Sequence, residues 1–279
     1  MSYSIRVADV ISDKDAILSL WNNNLQLISE DRFHWIYNLN PLKPVQCWIA
    51  GVDGNGESAG TVSLFPREVL IAGRRVKSGI PGYFAVKKQH RVLGPAVLLQ
   101  RAVVNACSAG GFEFIYACPN KAAEAAFSRT GYRDLGAIGV YSNPLRSAYV
   151  LRRYMSPFLA NLFGPVVDFS LRAFSLKIFR RRGGNLQLLE VERFDDRIDQ
   201  LWKSAAHALR VVGFRSGEYL NWRYKDCPQR LFRGFIVCNE KEQVVAYFVS
   251  YRDGKVEKIA DFFALNSELL ETSLGKRLL

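Results

Sequence analysis

The chain has 279 residues, 49% of them hydrophobic, 23% charged and 13% aromatic; this excludes a disordered chain and allows one large domain or two of about 100 to 150 residues. Its formal net charge of +12 favours anionic partners, whether nucleic acid, acidic lipid, an acidic carrier protein or a phosphorylated cofactor, without choosing among them. Cys47, Cys107, Cys118, Cys227 and Cys238 are odd in number and widely spaced, with no C-x-x-C pair, which argues against a metal or redox site and for buried thiols in a reducing cytoplasm.

The first residues carry Asp9, Asp13 and Asp15 and lack the apolar core and small-residue cleavage site of a signal peptide. Ile5–Val10 reads as a strand, and Asp13 as the cap of a helix with Ala16, Ile17, Leu20 and Trp21 at helical spacing. A second helix follows Ser29 and ends before Pro41. Val45–Val52 and Ala59–Leu64 form a hairpin turning at Gly54-Asn55-Gly56, and another hairpin around Gly73 delivers the strand Ile80–Val86. Gly94 opens a long helix that ends at Gly110-Gly111. Phe112–Cys118 reads as a strand, Pro119-Asn120 starts a helix to Arg129, and Tyr132–Tyr141 supplies a closing strand. The expected fold is α/β, a mixed and mostly antiparallel central sheet with helices on both faces.

The sequence repeats itself. His34-Trp35-Ile36-Tyr37-Asn38-Leu39-Asn40-Pro41 recurs as Asn221-Trp222-Arg223-Tyr224-Lys225-Asp226-Cys227-Pro228, Leu20-Trp21 as Leu201-Trp202, and Phe84-Ala85-Val86 as Phe263-Ala264-Leu265. Three matches in order imply a duplicated domain. Residues 1–145 form the first copy and 186–279 a partial second one. There Asn266-Ser267-Glu268-Leu269-Leu270 replaces a basic loop, and no counterpart of Phe112 to Tyr141 follows. The edge Lys255–Leu265 is then expected to be covered by residues 146–184, by the first domain or by a second chain, a homodimer being the sharpest form. Residues 146–185 read as basic, apolar linker helices, more simply a helix pair packed at the junction than a surface helix drawn to acidic membrane. Their most apolar part, Phe158–Phe169, is short and broken by Pro165 and Asp168, so no spanning helix is expected. Trp35, Tyr37, Trp222 and Tyr224 read as core between the second helix and the sheet rather than as stacking platforms.

The segment from Phe84 to Ala96 runs strand, basic loop, helix start. A pyrophosphate needs backbone N–H donors without side chains in the way, next to a helix N-terminus; Gly94 and Ala96 keep that approach open, and Pro95 suits the first helical turn. Arg91-x-x-Gly94-x-Ala96 resembles the acyl-CoA signature of the GNAT superfamily of N-acyltransferases. Asn120-x-x-Ala123-x-x-Ala126-Phe127-x-x-x-Gly131-Tyr132 resembles the helix that follows in that family. The resemblance covers about Ile5 to Asn143.

The resemblance implies that Phe84, Ala85, Val86, Arg91, Val92, Leu93, Gly94, Ala96, Asn120 and Phe127 bind acetyl-CoA or another acyl-CoA, with no metal. Pantetheine would pair with Phe84 to Val86, and a backbone amide near Ala85 would stabilise the oxyanion as a small-molecule amine attacks directly. Phe127 stands where the family usually has a tyrosine that protonates the thiolate, so Tyr83, Tyr116 or a water would substitute, or the thiolate would leave unaided. Glu124, Asp31 and Glu30 are general-base candidates by type only. His34 and Tyr83 are candidates for contact with the acceptor, His34 being more readily a packed surface residue. His90 reads as a support for the phosphate loop and Cys118 as a buried filler. Two other readings are a Fem-type ligase using aminoacyl-tRNA, which has no need of the coenzyme signature, and a non-catalytic acyl-CoA-binding module, which Phe127 would suit. With the signature present, nucleic acid is not the expected partner.

Overall fold

The computed structural model describes residues 2–25, 27–54, 56–91, 93–109, 111–139, 147–182, 186–205 and 210–266. In chain order the elements are β1 (Tyr3–Val7), α1 (Lys14–Asn24), α2 (Glu30–Tyr37), β2 (Gln46–Val52), β3 (Ser58–Ile71), β4 (Arg74–Val86), α3 (Leu93–Ala109), β5 (Phe114–Ile115) and α4 (Glu124–Ser128). There follow α5 (Ser147–Leu151), α6 (Pro157–Arg182), β6 (Gln187–Val191), α7 (Asp196–Ala205), β7 (Val211–Gly213), α8 (Gly217–Leu220), β8 (Arg233–Cys238), β9 (Val244–Asp253) and β10 (Val256–Ala264). The turn Asn221–Lys225 after α8 is π-helical. The chain makes two compact units, Met1–Leu135 with Ala205–Leu231, and Gly136–Ser204 with Phe232–Leu279.

In the first unit the sheet order is β1-β2-β3-β4-β5, with β7 added to β3. Every pairing is antiparallel except β4 with β5. Ala72 and Gly73, at φ 48° and 81°, make the two-residue β3–β4 hairpin turn, because positive φ at both central positions matches the twist of the strands. Alternation along the strands sends Ala85 and Cys47 to one face, with Trp21, Phe33 and Trp35 of α1 and α2, and Trp48 and Val62 to the other, with Leu99 and Val103 of α3. Trp21 is fully buried and stacks on Tyr83 at 4.4 Å. At Gly60 an added Cβ would lie 2.7 Å from the carbonyl oxygen of Ala85, so β3 can approach β4 there only without a side chain.

In the second unit β10-β9-β8-β6 is wholly antiparallel. This repeats the β4-β3-β2-β1 pairing of the first sheet, with α7 following β6 as α1 follows β1. Trp202 of α7 stacks on Phe263 of β10 at 4.1 Å. β10 is an edge strand with a bulge between Ile259 and Asp261, a feature that discourages pairing with another chain. α5 packs against α6 at Gly164, where an added Cβ would meet that of Ala148 at 2.7 Å. The Ser147 hydroxyl donates to the Gly164 carbonyl and the Ser147 amide to Asp168.

Several expectations need correction. Residues 205–231, which the repeat places in the second copy, complete the first unit instead, because β7 extends its sheet and Trp222 enters its core. Asp13 does not cap α1 with its side chain, since both its oxygens take Arg6 at 2.6 Å and one also accepts the Asp9 amide. β5 is two residues long instead of seven. No strand occurs over residues 132–139; Gly131 and Gly136, at φ 91° and 119°, turn the chain rather than extend it. The linker region is helical as read, and α6 runs through Pro165, although a proline inside a helix forfeits one backbone bond. Among the described residues no helix is long and apolar enough to cross a membrane.

Candidate active site

β4 and β5 separate soon after they meet. They pair only at Ser78 with Phe114 and Gly79 with Ile115, and the last bond is from the Tyr116 amide to the Gly79 carbonyl, 3.0 Å. Ile80–Val86 stays paired to β3 while its other edge has no strand partner among the described residues. The Lys87 amide donates to the Ala59 carbonyl at 2.8 Å, so alternation turns the polar groups of Val86 to the open edge. The Val86 carbonyl there accepts from Arg91 Nε at 3.2 Å.

Just before the loop, β4 bulges. Thr61 pairs with Ala85 and Ser63 with Gly82, so β4 takes three steps where β3 takes two. Tyr83 absorbs the extra residue at φ 48°, a backbone region uncommon for an aromatic residue and usually kept where the surroundings fix it. The bulge lets Tyr83 and Ala85 pack on the α1–α2 face while Phe84 and Val86 pack towards α3.

The loop leading to α3 is tied down. Lys87 Nζ and Gln89 Nε2 donate to Glu57 at 2.9 and 3.0 Å, and the Lys87 ammonium holds the Glu57 carboxyl below its ordinary range. His90 is buried, 3% exposed, with Nδ1 3.2 Å from the Tyr3 hydroxyl and Nε2 3.5 Å from Glu57. It thereby links the loop to Tyr3 and lies against Glu57. Gly94 is exposed at the first turn of α3, and an added Cβ would find nothing nearer than the Tyr3 ring at 4.0 Å. Leu93 opens α3 and Ala96 is half-buried in its first turn; Val92 lies outside the described residues. On the other side of the opening Phe127 is buried, edge-on to Phe84 at 6.2 Å and to Tyr132 at 4.8 Å. Asn120 turns its Oδ1 to the Ala123 amide at 3.0 Å, closing the turn that leads into α4.

A cleft of about 710 Å³ lies on the α1–α2 side of the same unit. Its wall includes Asn24, Leu25 and Ile28, Phe65 and Arg67 of β3, Gly82, Tyr83 and Phe84 of β4, Asn120, and Trp222, Arg223 and Gln229. Arg32 of α2 crosses it: Nε donates to the Tyr83 hydroxyl at 2.8 Å and another guanidinium nitrogen donates to Gln229. Burial raises the Tyr83 phenol, with Arg32 and Arg223 opposing. The structure thus brings Tyr83, Phe84 and Asn120 together. It does not bring His34, Tyr116 or Glu124, none of which lines the cleft. His34 and Glu124 are exposed, His34 because Arg32, Trp35 and Ile36 share the helix face that points inward. Cys118 is also exposed, since β5 ends before it. The general-base candidates Glu30 and Asp31 are exposed as well, and Glu30 pairs with Lys14.

Trp35 and Trp222 form the back of the cleft by stacking at 4.7 Å with 16° between their planes. Each indole Nε1–H donates to the other's backbone carbonyl, at 2.7 and 2.9 Å. The repeated motif thus contacts its own copy in a reciprocal arrangement. Both copies start alike, Ser29 accepting from the Arg32 amide and Ser216 from the Tyr219 amide. Both tryptophans are buried in the core cluster that holds Cys47, Ile49 and Ala85 of the sheet, and they pack on each other as well, while Tyr37 reaches the sheet through Ser63 at 2.7 Å.

The fold is GNAT-like. Similar solved structures include a conserved protein of unknown function from Enterococcus faecalis V583 described as a probable N-acyltransferase, with 10% identity and a TM-score of 0.60 over 100% of this chain and 63% of that one. The GCN5-related N-acetyltransferase from Kribbella flavida is 13% identical with a TM-score of 0.61, over 98% of this chain and 60% of that one. The corresponding protein from Anabaena variabilis ATCC 29413 is 12% identical with a TM-score of 0.66, over 99% and 62%. The chain thus spans about three fifths of the length of these structures. No family model matches the sequence, and no curated protein matches it.

Proposed function

We propose that the chain is an N-acyltransferase that moves an acyl group from acyl-CoA, acetyl-CoA being the simplest, to a primary amine by direct attack. The observation that supports this most is the unpaired edge of β4 leading from Phe84 through Val86 into a tethered loop and the open first turn of α3. Val86 would pair with the pantetheine amides, and Gly94 would admit the pyrophosphate to the α3 N-terminus. The acceptor would enter from the cleft on the far side of Phe84. Its amine lone pair attacks the thioester carbon, a tetrahedral oxyanion forms, the C–S bond breaks and the nitrogen loses a proton.

Tyr83 takes the part of proton donor to the departing thiolate in this reading. Arg32 Nε–H occupies its oxygen as acceptor, which leaves the phenolic proton to be donated. Burial keeps that proton on through neutral pH. Phe127 has no proton to give, and its burial against Phe84 and Tyr132 makes it a wall. We also read the repeated pairing scheme and the reciprocal tryptophans as traces of an internal duplication.

The test is amine-dependent release of free thiol from acetyl-CoA by the full chain. Tyr83→Phe is expected to lower kcat at least about tenfold with little change in the KM for acetyl-CoA. Coenzyme binding without thiol release on any amine would reduce the protein to a binding module, and absence of coenzyme binding would remove the whole reading.

A further inference from the structure

The cleft carries three guanidinium groups, from Arg32, Arg67 and Arg223, and no carboxylate lines it among the described residues. Arg32 has neutral partners. Arg67 and Arg223 have no carboxylate partner among the described residues. Their neighbours are rings, with Arg67 4.6 Å above Tyr219 and Arg223 6.0 Å from the centre of Trp35. Elsewhere the chain does pair its arginines: Arg6 with Asp13, Arg74 with Glu113, Arg75 with Glu68, Arg197 with Asp195 and Arg233 with Glu190.

Arg67 is half-buried on β3, and its acidity is shifted to about 10 by burial and by the like charges of Arg223 and Arg215. Leaving two cations close together in a partly dry cleft costs stability unless an anion enters. Both are held by rigid elements: Arg67 lies in the middle of the β3–β4 ladder opposite Ser78, and Arg223 follows the clasped Trp222. An anion site built this way is preformed.

The coenzyme's own phosphates do not account for it. Arg67 sits across from Ser78, and the strand must run eight residues further to Val86 before the loop and α3 begin, roughly 25 Å at about 3.3 Å per residue. The arginines therefore face what enters from the opposite end of the cleft.

We propose that the acceptor is an anionic amine, one whose carboxylate or phosphate is held by Arg67 and Arg223 while its amino group reaches the opening beside Phe84. This rests on the acyltransferase reading, and it narrows the acceptor class by excluding polyamines and uncharged amino sugars as preferred substrates. A guanidinium pair on one anion is worth about ten- to a hundredfold in selectivity.

The experiment compares matched amines with the full chain and acetyl-CoA: alanine against alaninamide for the carboxylate arm, glucosamine 6-phosphate against glucosamine for the phosphate arm, and spermidine as a cation. In at least one arm the anionic member is expected to have a kcat/KM at least about tenfold above its neutral partner, and the arm that responds names the anion. Arg223→Met and Arg67→Met should each collapse that ratio towards one, Arg223→Met serving if Arg67→Met does not fold. Equal or better turnover of the neutral members or of spermidine, or an unchanged ratio in a folded Arg variant, overturns the proposal. If no amine is acylated, calorimetry with alanine and glucosamine 6-phosphate keeps the two readings apart. Anion binding that Arg223→Met abolishes then upholds the site while the acyltransferase reading fails, and no binding sinks the site as well.

Discussion

Gly94 has room around it, and that makes it the sharpest single-residue test of where the coenzyme goes. An added Cβ there meets the Tyr3 ring at 4.0 Å and the position is exposed, so Gly94→Glu is expected to fold normally, while its carboxylate would repel a pyrophosphate at the α3 N-terminus. Calorimetry with coenzyme A should show binding lost by at least about tenfold; unchanged affinity in a folded variant would move the site elsewhere. The turn carrying His90 and Arg91 and the start of α3 at Gly94 were legible in the sequence, because a turn and a helix start are local, set by a few neighbours. Asp13 and Cys118 were misread for the complementary reason. Whether a carboxylate caps a helix or takes Arg6, and whether a cysteine is covered, depends on chain far from it. Arg32 and Arg67 lie outside the repeated motif and Arg223 is one variable position within it, so the cleft's charge was not legible. One signal did exist: the repeated W-x-Y motif carries Ile36 in one copy and Arg223 in the other.

At the scale of elements, periodicity and turn chemistry located α1 to α3 and β2 to β4 well, since each has an amphipathic face or a glycine that ends it. What periodicity lacks is the partner. The W-x-Y repeat was visible as a repeat, but nothing in it said that the copies would face each other. Trp35 and Trp222 share a stack and two reciprocal hydrogen bonds. Either tryptophan changed to alanine should cost about 3 to 5 kcal/mol of stability. The double variant should cost less than the sum by about 1 to 3 kcal/mol, because the first change already removes the bonds and the stack that the second would lose. Urea unfolding of the four proteins in the cycle measures this, and strict additivity would mean that the contact contributes nothing of its own. β5 and the segment after it are overextended in the sequence reading because their apolar residues suggest strand, whereas Leu135 and Ile138 are 96% and 77% exposed and join no sheet among the described residues.

For the whole molecule, the fold class was readable from the order of elements, but the division of the chain was not. A repeat suggests consecutive copies, whereas here the first unit is finished by Ala205–Leu231. Residues 1–145 alone would lack β7, and with it Tyr219 and Trp222, which belong to the core around Trp21. That fragment is expected to lose protection of α1 and α2 against hydrogen exchange by at least about a hundredfold relative to the full chain. Protection equal to that of the full chain would show the first unit to be self-sufficient.

The same interleaving bears on how the protein is made. Ribosomes deliver about 5 to 20 residues per second, and the stretch from Leu135 to Trp222 takes roughly 4 to 17 s at that pace. Through that interval the face awaiting Trp222 stands uncovered, and the nascent chain presents Trp35 and its neighbours to whatever chaperone meets it first.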